Sequence, residues 1–138
     1  MIMSESKIRV RYADTDQMKM AYYARYFEYF EQSRSDLLRG MGLPYPEIER
    51  LGFYLPVIEA HANYVRPARY DDLIRITAVV KEPPQARIRI EYEVSGEEER
   101  EVLATGHTIH SFVNAATGRP ARAPEFFMEQ FNAANSKT

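Results

Sequence analysis

Val10–Gly42 reads VRYADTDQMKMAYYARYFEYFEQSRSDLLRGMG, and its patterning decides how the rest of the chain must be arranged. It opens as a short alternating strand, passes through the acidic knot Asp14-Thr15-Asp16, and becomes the longest helical pattern in the sequence. From Ala21 to Met41 there is no Pro, and the one Gly is Gly40, near the end. Tyr22, Tyr26, Tyr29, Phe30, Ser33, Leu37 and Met41 recur at helical spacing on one face, with Tyr23, Phe27 and Leu38 beside it. A stripe that wide predicts a helix largely surrounded by protein. Gly42 followed by Pro44 is a stop signal. Asp14, Thr15 and Asp16 are cap-type residues, and the pattern puts Asp16 at the start of the helix.

Outward from this helix the chain is strand-like. Lys7–Tyr12 alternates charged and apolar residues, as a half-buried strand does, and Leu43–Gly52 is a short helical turn or loop. Phe53–Val65 carries Val57, Glu59, His61, Asn63 and Val65 on one face and Ile58, Ala60, Ala62 and Tyr64 on the other. Pro67 cannot donate to a ladder, so Arg66–Asp72 is a turn. Leu73–Val80 is a strand ended by Pro83-Pro84. Ala86–Val94 alternates most cleanly, with Ile88, Ile90, Tyr92 and Val94 against Arg87, Arg89, Glu91 and Glu93. That pattern implies a sheet with one face on a core and one in water. Glu101–Val113 is a further strand, and Pro124–Ala134 a short amphipathic helix. Hairpin-length turns force antiparallel neighbours. The expected class is α+β: one domain over residues 1–138, an antiparallel sheet whose buried face is covered by one long helix.

Composition bounds the function. The 138 residues are 45% hydrophobic and 28% charged, with net charge −2, which gives no electrostatic case for nucleic acid. With no Cys, disulfides, thiol catalysis and Cys-ligated zinc are excluded. No segment approaches the roughly 20 apolar residues of a membrane span, and no signal-peptide run opens the chain, so a cytoplasmic protein is expected.

Few residues are placed for chemistry. Asp16 is an N-cap or a reactive carboxylate. His107 and His110, three apart in a strand, point to opposite faces and cannot converge on one ion, so no metal is expected. Glu59, His61 and Asn63 form a polar row: an edge or interface strand, or the wall of a cleft beside the helix. Arg87 and Arg89 project together from an exposed strand face, either solvated or available to phosphates.

Tyr12-Ala13-Asp14-Thr15-Asp16-Gln17-Met18, then Tyr22-Tyr23-Ala24-Arg25-Tyr26 and Phe30-Glu31-Gln32-Ser33-Arg34, resembles the opening of the hot-dog-fold acyl-CoA thioesterases of the 4-hydroxybenzoyl-CoA thioesterase and YbgC-like group. Leu43-Pro44, Pro56-Val57 and Pro67–Asp72 extend the likeness over nearly the whole chain. The resemblance implies a hot-dog fold, a curved antiparallel sheet wrapped around one long central helix. It also implies a homodimer, often a tetramer, with clefts at the subunit interface. It implies hydrolysis of an acyl-CoA without a cofactor, with Asp16 as base or nucleophile and a backbone N–H on or near Tyr23 polarising the carbonyl. The acyl group is assigned to Tyr22, Tyr26 and Glu31, with Glu59 and His61 as a possible wall and Arg87 and Arg89 for the CoA phosphates. In the departure from the family pattern, Lys19 stands where relatives usually carry Gly. A residue with a side chain tolerates positive φ poorly, so a non-catalytic acyl-CoA binding module is the alternative.

Overall fold

The computed structural model describes residues 1–98 and 100–137. In chain order it forms β1 (Ile2–Arg9), a 3₁₀ turn (Tyr12–Asp14), α1 (Arg25–Gly40), α2 (Tyr45–Arg50), β2 (Phe53–Tyr54), β3 (Val57–Tyr64) and β4 (Leu73–Val80). There follow β5 (Arg87–Gly96), β6 (Val102–Asn114), β7 (Arg119–Ala121) and α3 (Glu125–Ser136). The strands make one open seven-stranded sheet. β1, β4, β5 and β6 lie side by side and antiparallel, and β6 pairs in addition with β3, β2 and β7. No described helix is long and apolar enough to cross a membrane.

The inner face of the sheet is built by the alternation in β4 and β5. Ile74, Ile76, Ile88, Ile90 and Val94 are fully buried, while Arg87, Arg89 and Glu93 point outward. α1 lies on this face with Tyr26, Tyr29, Phe30, Leu37 and Leu38 buried. Each such apolar side chain contributes about 1.5–3 kcal/mol on burial. Phe30 stacks flat on Tyr92 at 4.4 Å between centroids. The strand next to that pair must come very close. A Cβ on Gly106 of β6 would stand 2.7 Å from the Phe30 ring and overlap the His61 carbonyl, so glycine is required there by space.

α1 ends as expected and begins late. Gly42 takes φ +81, the Gly42 amide bonds Arg39 O at 2.9 Å and the Leu43 amide bonds Leu38 O at 2.9 Å. Those two bonds are a Schellman stop, sealed by buried Leu38 and Leu43. At the other end, the expected start at Asp16 is corrected. The Ala21 amide is bonded to Ala68 O and the Tyr22 amide to Asp14 O, both at 2.8 Å. Donors committed to a distant turn and to the acidic knot cannot enter an i→i−4 ladder. The helix therefore begins at Arg25 with Ala24 as N-cap and no side-chain cap, and Asp16 does not cap it.

A second correction concerns β3. A bulge at Ile58 puts Val57 opposite His110 but Glu59 opposite Ile109, which breaks the alternation read through Phe53–Val65.

One polar chain crosses the core. His110, 1% exposed, has Nδ1 3.0 Å from Leu55 O and Nε2 2.9 Å from Thr108 Oγ1, and Thr108 Oγ1 is 2.6 Å from the Tyr92 hydroxyl. A carbonyl only accepts, so Nδ1 carries the proton, Thr108 donates to Nε2, and Tyr92 donates to Thr108. Arg34 closes the chain through Tyr45 (Nε to hydroxyl, 3.3 Å) and Tyr92. Burial, opposed by the Leu55 hydrogen bond, lowers the His110 pKa from 6.5 to about 4. Between those values the unfolded chain binds a proton that the folded protein refuses. Stability is therefore full above pH 6.5 and falls as pH drops toward 4, by up to about 3 kcal/mol. Urea unfolding of the native protein and His110→Asn at pH 7 and pH 4.5 checks this. The native protein should lose more stability between the two than the variant, and equal losses would remove His110 as the cause.

Candidate active site

The segment between the 3₁₀ turn and α1 is a compact loop. The Asp16 amide bonds Met20 O at 2.9 Å and the Lys19 amide bonds Asp16 O at 3.0 Å. Asp16 Oδ1 accepts from the Met18 amide at 2.8 Å and, more weakly, from the Met20 amide at 3.4 Å. This is an Asx-type turn, in which a short acid organises the backbone that follows it. Asp16 Oδ2 has no hydrogen bond among the described residues. Lys19 holds φ +62, so the loop keeps the left-handed residue that glycine would supply, at a cost of about 1–2 kcal/mol.

The two aspartates differ sharply. Asp14 is 3% exposed and accepts from the Arg11 amide (3.0 Å), Arg11 Nη2 (3.2 Å) and the Tyr29 hydroxyl (3.1 Å). Burial pushes its pKa up, but the Arg11 and Tyr29 hydrogen bonds outweigh that and the net shift is downward. Asp14 is a sealed structural carboxylate. Asp16 is half-buried with one oxygen open.

Next to this loop the chain turns into α1. The Tyr22 carbonyl accepts from the Arg25 amide at 2.8 Å, and the Tyr23 carbonyl from the Tyr64 hydroxyl at 2.9 Å and the Tyr26 amide at 3.3 Å. The amides of Tyr23 and Ala24 have no acceptor among the described residues. Unpaired amides at a helix start attract a developing negative charge.

Asp16, Tyr23, Tyr26, Met20, Tyr64 and Val65 line one cleft of about 350 Å³, with Arg66 as its cation. Its walls are mainly apolar and aromatic: the Tyr64 ring meets Tyr26 at 5.0 Å and Tyr23 at 6.4 Å. The volume suits a small acyl group. A larger recess of about 410 Å³ lies elsewhere, but Asp71, Asp72, Glu97, Glu98 and Glu101 line it against Arg9, the single lining cation among the described residues, and that excess of carboxylates disfavours a phosphorylated ligand.

Of the residues expected at the site, Asp16, Tyr23 and Tyr26 come together here. Tyr22 packs on Tyr23 at 4.5 Å but does not line the cleft. Glu31 is exposed on α1, outside the cleft. Glu59 and His61 do not form a wall beside the helix. They lie on the outer face of the sheet, where Glu59 Oε2 bonds His107 Nε2 at 2.7 Å and the rings of His61 and His107 stack at 5.4 Å. The period-2 geometry explains it: Ala62 and Gly106 face α1, so His61 and His107 face away. Arg87 and Arg89 share an outer recess with Lys81, Pro83 and Glu91, apart from Asp16. The sequence reading missed Met18, Met20, Tyr64 and Val65 as lining residues, whereas Arg66 was among the turn arginines considered for the CoA phosphates. Tyr64 was within reach of it, since it shares the alternate face of β3 with Ala62.

Residues 10–131 match the model of the thioesterase-like superfamily, and the chain belongs to that family. YneP of Bacillus subtilis is 38% identical over 80 residues, which is 58% of this chain and 55% of that protein, so the match spans about half the length of that relative. The acyl-CoA thioesterase YbgC of Helicobacter pylori is 28% identical over 134 residues, covering 92% of this chain and 98% of that one. Among solved structures, the DHNA-CoA thioesterase of Staphylococcus aureus has a TM-score of 0.87 at 29% identity, covering 99% of this chain and 91% of that one. The fold is the hot-dog of these thioesterases.

Proposed function

We propose that the protein hydrolyses an acyl-CoA thioester to the free acid and CoA, with Asp16 doing the chemistry. The observation that carries this reading is the open Asp16 Oδ2 bordering the same apolar cleft as Tyr23, next to two unpaired amides. A thioester needs a base or nucleophile and a group to hold the oxyanion. Asp16 takes a proton from water as hydroxide adds to the acyl carbon, or adds to that carbon itself. The carbonyl oxygen gains charge and is held by the Tyr23 and Ala24 amides. The tetrahedral intermediate then expels the CoA thiolate; where Asp16 itself has added, this leaves an acyl-aspartyl anhydride that water hydrolyses to the free acid and the restored carboxylate. Lys19 keeps the loop in its left-handed turn, which favours this reading over a binding-only module.

The acyl group occupies the tyrosine-lined cleft, and Arg66 is the lining cation available to CoA. A second copy completes the site. Among the described residues β3 pairs with β6 alone, and no strand covers the other edge of its eight residues, where Val57, Ile58 and Tyr64 are exposed. An exposed edge of that length invites pairing, and a two-fold joins it to itself. The cleft borders the end of β3, so such pairing sets Asp16 beside the interface.

Two measurements test this. Asn replaces Asp16 in the Asx turn without being a base or carboxylate nucleophile. Asp16→Asn should therefore keep folding and acyl-CoA binding while lowering kcat by about 10²-fold or more on a panel of aliphatic and aromatic acyl-CoAs. Unchanged turnover would refute the reading, and tight binding without turnover by the native protein would favour the binding module. Sedimentation at micromolar concentration should give at least twice the 16.1 kDa of the chain, and a monomer would overturn the assembly.

A further inference from the structure

We propose that Tyr64 is a positioning residue for the oxyanion-binding amides, acting by holding the Tyr23–Ala24 peptide plane. This rests on the thioesterase reading above. A trans peptide is rigid and planar, with its C=O and N–H pointing in opposite directions. Whatever fixes the Tyr23 carbonyl therefore aims the Ala24 amide. The helix does this poorly by itself, because its bond from the Tyr26 amide to Tyr23 O is long, at 3.3 Å. The Tyr64 hydroxyl supplies a better bond at 2.9 Å. The preceding peptide, Tyr22 C=O with Tyr23 N–H, needs no such help, because the Arg25 amide holds Tyr22 O at 2.8 Å.

Tyr64 is itself held firmly. It ends β3 opposite Ala104, and the next two amides, of Val65 and Arg66, both donate to Leu103 O at 2.9 and 3.0 Å. Its ring is wedged against Tyr26 and Tyr23. Burial, then the fields of Tyr26 and Tyr23, raise its pKa, so the hydroxyl remains a donor. The bond thus ties the last residue of a sheet strand to the residue just before the N-cap of α1. Pre-set donors cost no reorganisation during the reaction, and that is the advantage Tyr64 confers.

Tyr64→Phe removes the hydroxyl and keeps the ring. It is compared with Asp16→Asn on an acyl-CoA that the native protein turns over, and by ¹³C and ¹⁵N NMR without substrate. The expected result is a kcat lowered by about tenfold or more, less than the full loss of a donor. KM and melting temperature should stay close to native, the Tyr23 carbonyl resonance should move upfield, and the Ala24 amide ¹⁵N resonance should shift with it. Native kcat in Tyr64→Phe beside an inactive Asp16→Asn overturns the positioning role and leaves the thioesterase reading standing. A change in KM alone overturns it too, making Tyr64 a wall of the acyl pocket. An unmoved Tyr23 carbonyl resonance overturns it whatever the kinetics. Native turnover in Asp16→Asn refutes the reading of the site and this role with it.

Discussion

The bond from the Tyr22 amide to the Asp14 carbonyl, with its neighbour from the Ala21 amide to Ala68, is the constraint on which the site depends. Those two donors leave the helical ladder for the acidic knot and a distant turn. α1 is then forced to begin at Arg25, and the amides of Tyr23 and Ala24 are left at its head. Asp14 makes this possible by being buried under Arg11 and Tyr29, and so is a fixed post. Its neighbour Asp16 folds over the Asx turn and keeps one oxygen open. One short motif thus separates a sealed acid from an open one, through burial and through the hydrogen bonds of Arg11 and Tyr29.

The sheet contributes rigidity at the points where the loop needs it. Close packing of Gly106 under Phe30, and of Phe30 on Tyr92, fixes the height of α1 above β5 and β6. β3, held by β6 on one side, delivers Tyr64 to the cleft. The cleft is bordered by the Asp16–Ala21 loop, the helix start, a strand end and the Pro67 turn, and the loop is tied by its own backbone bonds and by the Ala21 amide on Ala68 O.

Much of this was legible in the residues. The broad tyrosine-rich stripe announced a surrounded helix, and the alternation in Ile88–Val94 announced a one-sided sheet. The acidic knot singled out Asp16, and the resemblance to the thioesterases Tyr23; both line the cleft. What was not legible depended on non-local geometry. The late helix start follows from bonds to Ala68 and Asp14, which no propensity encodes. The bulge at Ile58 changed which residues share a face, and the outward direction of Glu59 and His61 appeared only once β3 was in register with β6. Lys19 suggested a disturbed loop, yet the surrounding bonds hold it at φ +62. Local strain of about 1–2 kcal/mol is tolerated where several contacts over-determine a turn.

The central claim is geometric: an acyl carbonyl sits between the helix-start amides and the open oxygen of Asp16. A crystal structure with an acyl-CoA analogue in which methylene replaces sulfur tests it most directly, because the ketone cannot be hydrolysed. The account predicts the ketone oxygen within about 3 Å of the Tyr23 or Ala24 amide. Asp16 Oδ2 should face its carbon directly or through one water, and the acyl group should lie against Tyr26 and Tyr64. A carbonyl bound away from these groups, in the acidic recess of Asp71 and Glu97 or on the outer face by Arg87 and Arg89, would contradict it.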